Sequence, residues 1–215
     1  MLLQGQVGSG LNLSANAGQG QQLNLRQAGQ GDLIVSELMP RYAAAAIGRQ
    51  KFYGSLSAGV TTTASLTASA VVAPFLYNPV GSGVNVIVTK VGVAFTVAFG
   101  AAAAIGIATG FNATLLATTS AAGNPGASSF VGVGAAPQGK VYAGATTTSA
   151  SLVHTYLGAG DTGAITTVPL AWTPPTDLEG GIVLPPGAWA YIYTSTASGA
   201  SATFGSYEWI ELPNP

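Results

Sequence analysis

The 215-residue sequence holds six Lys or Arg, seven Asp or Glu, one His, thirty Gly and no Cys; 48% of it is apolar and its net charge is −1. That apolar content can form a sizeable core and excludes a disordered chain, the lack of a basic cluster removes the electrostatic drive for nucleic-acid binding, and the lack of cysteine removes disulfides and thiolate metal sites. Charged residues make up only 6% of the chain, against about a quarter in ordinary globular proteins, so much of the surface is expected to lie against other protein.

Met1 to Gly10 shows neither a basic n-region nor an apolar h-region, so no cleaved export signal is expected and synthesis in the cytoplasm is the default. Residues 1–35 are rich in Gly, Gln and Asn and repeat a phrase. Leu11-Asn12-Leu13 leads to Ala17-Gly18-Gln19-Gly20, and Leu23-Asn24-Leu25 leads to Ala28-Gly29-Gln30-Gly31. Such a segment cannot bury a core of its own. Leu11, Leu13, Leu23 and Leu25, at alternate positions, suit an extended arm added as a strand to a neighbouring subunit; a flexible tail is the other reading. Residues 36–215 are expected to form the folded domain, with one short helix over Glu37 to Ile47, where Glu37 and Arg41 stand four apart and Ala43 to Ala46 favour helix.

The rest of the chain reads as strands separated by turn chemistry. Asn78-Pro79-Val80-Gly81-Ser82-Gly83 predicts a turn before a strand over Val84 to Val88. Val91 to Phe111 is uncharged and long enough to cross a membrane, but its large residues fall at odd positions, from Val91, Val93, Phe95, Val97 and Phe99 to Ile105 and Ile107. Every even position from Gly92 to Gly110 is Gly, Ala or Thr. Period two predicts strand, broken around Gly100 to Ala104, with a small-residue face on which another layer or subunit closes. Gly123-Asn124-Pro125-Gly126 predicts a turn before a strand over Phe130 to Val133. Leu184-Pro185-Pro186-Gly187 precedes the alternating Trp189, Tyr191 and Tyr193, and Tyr207 to Leu212 closes the series. The likeness of Ala58–Thr63 to Ala143–Thr148 suggests two similar halves. The expected fold is an all-β sandwich or jelly roll with an extended N-terminal arm and at most one short helix.

Chemistry is sparse. His154 lies in the alternating Leu152-Val153-His154-Thr155-Tyr156 with no acid near it in sequence, which reads as a structural residue. Asp177 and Glu179 are close enough for a carboxylate pair, but Pro174 to Gly181 reads as a solvated loop without calcium-loop spacing. Trp172, Trp189, Trp209, Tyr191, Tyr193 and Tyr207 suit core and interface packing better than a sugar-stacking platform. Neither catalytic residues nor a cofactor or metal site is expected. Arg26, Arg41, Arg49 and Lys51 stand in the first 51 residues, whereas residues 161–215 hold only acidic charges. The two ends could therefore pair between subunits or within one.

Glu37-Leu38, Arg41-Tyr42, Gly48 and Phe52, then Leu76-Tyr77-Asn78-Pro79 with Gly81 to Asn85, and the ending Leu184 to Gly187 with Trp209 and Glu211, resemble a group of tailed-bacteriophage virion structural proteins. The resemblance covers roughly Leu33 to Pro215. It implies a capsid decoration or cement protein, a trimer on the virion surface bound to the major capsid protein. A tail or receptor-binding component that touches host glycan, and a hydrolase with a scattered site, are the alternatives. The arm leucines with Arg26 and Arg41 are the candidate assembly residues; no nucleic acid, membrane or cofactor is expected as a partner. Light scattering at micromolar concentration is expected to show a stable homo-oligomer, a trimer, and a monodisperse monomer would contradict an assembly role.

Overall fold

The computed structural model describes residues 42–214 apart from 68, 98, 120–122, 133–135, 161–174 and 200–202. The arm residues Leu11, Leu13, Leu23, Leu25 and Arg26, together with Arg41, therefore lie outside the described residues. The first described element is a single helical turn, α1 (Ala43–Ile47), at the C-terminal end of the expected helix Glu37 to Ile47, whose residues 37–41 lie outside the described residues. Tyr42 has φ 66°, a left-handed conformation that helix cannot pass through, so α1 starts only after it. Arg49, at φ 59°, closes the turn at the other end as its amide donates to the Ala46 carbonyl at 3.0 Å.

Eleven strands follow among the described residues. They are β1 (Lys51–Leu56), β2 (Ala70–Tyr77), β3 (Val84–Phe95), β4 (Ala103–Phe111), β5 (Ala117–Thr119), β6 (Gly123–Ser128), β7 (Lys140–Thr146), β8 (Leu152–Gly160), β9 (Thr176–Leu184), β10 (Ala188–Thr194) and β11 (Thr203–Pro213). They form two antiparallel sheets, ordered β6-β1-β11-β3-β9 and β5-β7-β2-β10-β4-β8. The pairs β1 with β11, β2 with β10, β3 with β9 and β4 with β8 form one long ribbon, rolled so that successive pairs alternate between the sheets. This is jelly-roll winding. Residues 112–151, inserted at the tip of the ribbon, return to its start: β6 adds to β1, β7 to β2 and β5 to β7.

The period-two region gives strands β3 and β4, but the break falls at residues 96–102, earlier than the expected Gly100 to Ala104. Of its large residues, Val97 and Phe111 are exposed, whereas Val91, Phe99, Ile105 and Ile107 enter the space between the sheets. There Val86, Val88, Val91, Tyr207, Trp209, Ile182 and Leu184 meet Leu76, Ile105, Ile107, Val141, Ala190 and Ile192. The small-residue face of β4 meets another layer within the same chain. On that outer face of sheet β5-β7-β2-β10-β4-β8 a second cluster gathers Val71, Phe75, Tyr77, Ala108, Trp189 and Tyr191. Gly110 lies against the Trp189 indole, whose Cζ2 occupies the place of any Cβ there.

Three expectations are corrected. Gly123–Ser128 is strand β6 instead of a turn, and Phe130 lies beyond it in a bend; an edge strand tolerates Pro125 because its missing N–H can face away, and the β1 pairing shifts register opposite it. Asp177 and Glu179 belong to strand β9, where Lys90 of β3 pairs with Asp177, and not to a loop. The suggested halves do not exist: Ala143 to Thr146 lie in β7, whereas 58–63 enter no named strand and make one bridge, Val60 to Thr203.

One corner joins the two turn phrases. The Asn78 Nδ2 donates to the carbonyls of Val84 and Leu184, both at 2.8 Å, while the Gly187 amide donates to the Asn78 carbonyl at 2.7 Å. Gly187 has φ 92°, and the Asn112 carbonyl occupies its Cβ position, so only glycine fits. Asn78→Ala would strand two carbonyls at a buried corner and is expected to cost about 2–3 kcal/mol in urea denaturation, with Gly187→Ala at least as costly.

Candidate functional site

Charge is distributed unevenly over the sandwich. On β11 Tyr207 and Trp209 point inward, so Glu208 between them points out, and cross-strand register continues the row from Tyr53 through Glu208 and Lys90 to Asp177. Lys51 joins it through an ion pair with Glu208 at 2.6 Å, and its ammonium sits 5.3 Å from the centre of the Tyr42 ring. The Tyr42 hydroxyl donates to Asp177 Oδ1 at 3.1 Å, and the same oxygen accepts the Glu179 amide at 2.9 Å. The basic and acidic ends of the chain thus meet within one molecule at Lys51 and Glu208. Lys51, Lys90, Asp177, Glu179 and Glu208 give the outer face of sheet β6-β1-β11-β3-β9 a solvated, charged character.

One acid points inward. Glu211 is buried, and its two carboxylate oxygens accept the amides of Gln138 and Gly139 at 3.1 and 2.9 Å and the Trp209 indole N–H at 3.0 Å. Three donors on a buried carboxylate make it an anchor for the segment entering β7, since each bond to a charged acceptor outweighs a neutral one. Trp209 stands two residues from Glu211, but its backbone partners Gln138 and Gly139 come from 73 and 72 residues away and leave no mark in the spacing.

The opposite character appears where β8 and β9, the last strands of their sheets, flank the opening between them. A cleft of about 690 Å³ lies there, lined by Phe111, Leu152, His154 and Val183 at its rim and by Ile182, Leu184 and Ala188 of the core below. Leu152 is 75% exposed, Phe111 54% and Val183 53%. The lining holds no Asp, Glu, Lys or Arg. His154 therefore sits at an exposed rim on an edge strand, not in the packed interior expected of a structural histidine. Nearby Ser149 donates its hydroxyl to the Phe111 carbonyl at 2.6 Å, a bond that ties the 147–151 segment to the end of β4 and gives no nucleophile-base pair with His154. Among the described residues no three His, Asp or Glu side chains gather as a metal set. What such a cleft can do is accept apolar side chains.

The C-terminal aromatics are packed instead of presented. Phe75 stacks on Trp189 and Tyr191 at centroid distances of 6.1 and 5.7 Å. Residues 61–67, 112–116 and 147–151 cover them: Trp189 Nε1 donates to Ser151 Oγ and Tyr191 Oη to the Ser65 carbonyl, each at 3.3 Å, and the Leu116 amide donates to Tyr77 Oη at 3.3 Å. Trp209 and Tyr207 are buried between the sheets. A sugar platform from these rings is thereby excluded; Trp172 lies outside the described residues. Comparison with family models, with curated proteins and with solved structures gives no match.

Burial raises the Tyr207 hydroxyl far above the usual tyrosine value, and it raises those of Tyr191 and Tyr142 too. Tyr207 Oη donates to the Pro74 carbonyl at 2.8 Å, linking the sheets. A folded pKa above the unfolded one means stability that is complete below the unfolded value of about 10 and lost as pH rises above it. Unfolding free energy is therefore expected to stay level up to about pH 9 and then fall, by up to about 1.4 kcal/mol per pH unit for each such tyrosine. In Tyr207→Phe that slope should be shallower, measured by urea titration from pH 7 to 11.

Proposed function

We propose that this protein is a non-enzymatic structural component of a tailed-bacteriophage virion, a decoration or cement protein that sits on the capsid surface and bridges major capsid subunits. The observation that carries the reading is the partition of charge. One sheet face holds Lys51, Lys90, Asp177, Glu179 and Glu208, and the β8–β9 corner is apolar and uncharged. A protein fixed to a particle needs one face in water and another that buries apolar area, and this partition supplies both. The jelly roll suits the role because its long-range ribbon resists local opening, although a fold alone does not assign a function. The phrases that carry the virion resemblance, Leu76 to Pro79 and Leu184 to Gly187, join physically at the Asn78 corner. The packing of Trp189, Trp209, Tyr191 and Tyr207 leaves the glycan-contacting tail reading without its platform.

The mechanism is mechanical. Copies of the protein, arranged as trimers, bury further apolar area against neighbouring capsid subunits at about 25 cal/mol per Å² and so favour the intact shell by mass action over its opened states. Neither nucleic acid nor membrane enters this mechanism, and assembly takes place in the bacterial host cytoplasm. Residues 1–35 act as a tethered second contact, with Leu11, Leu13, Leu23 and Leu25 as its apolar teeth and with Arg26, together with Arg41 just beyond the segment, setting register.

Purified protein is expected to add to isolated capsids that lack it and to raise the temperature at which they release DNA; no binding to capsids would reject the reading. Deleting residues 1–35 should leave the far-UV spectrum of the β-domain unchanged yet weaken occupancy by ~10²-fold or more. Substituting the four leucines by Ser should do the same, whereas equal occupancy and equal release temperature would make the segment a solvated tail.

A further inference from the structure

We draw no further inference here: the strongest candidate, the uncharged cleft at the β8–β9 opening with exposed Phe111, Leu152 and Val183 at its rim, is an apolar face, and nothing in the structure shows what covers it.

Discussion

Strand β10 carries Ala188, Ala190 and Ile192 on one face and Trp189, Tyr191 and Tyr193 on the other, and both faces are covered. The inter-sheet face is small and aliphatic, which lets the opposing Tyr207 and Trp209 approach. The outer face is aromatic and must be kept from water, because exposing three such rings would forfeit roughly 1.5–3 kcal/mol apiece. The segments 61–67, 112–116 and 147–151 serve that end. Their polar atoms satisfy the aromatic hydroxyls and the indole, so that burial leaves few unpaired groups. Most of the molecule's unusual features follow from this two-sided burial. Gly106, Ala108 and Gly110 are small because β4 lies beside β10 and has to clear Tyr156, Phe75 and Trp189. The long insertion after β4 exists, in physical terms, to supply cover.

Scarce charge is the second organising fact. With so few ionic groups, the protein concentrates them: a cross-strand row on one face gives Lys51 and Glu208 a partner each, and Glu211 is placed inside with three donors. Exposed pairs of this kind contribute at most about 1 kcal/mol, so the row matters for solubility and orientation more than for folding. Outside that row and apart from Glu211, exposed Arg49 and Lys140 are the other charges among the described residues. The β8–β9 opening gathers three exposed apolar side chains, Phe111, Leu152 and Val183, around an uncharged cleft.

The sequence by itself determined the class of the fold, because alternation of large and small residues over 91–111 and of aromatics over 189–193 dictates strands whatever the partners. It determined the turns at Asn78 to Gly83 and at Leu184 to Gly187, where proline and left-handed glycine restrict the backbone locally. It also determined that few groups were available for catalysis, since composition counts them. Only the tertiary structure decided which strand meets which, for pairs such as β1 with β11 join residues more than 150 positions apart and leave no local mark. Hence Gly123 to Ser128 became strand through its partner β1, and Asp177 and Glu179 became part of strand β9 through its partner β3. His154 turned out to be a rim residue for the same reason: period two states that a strand has two faces, and only packing states which of them is covered.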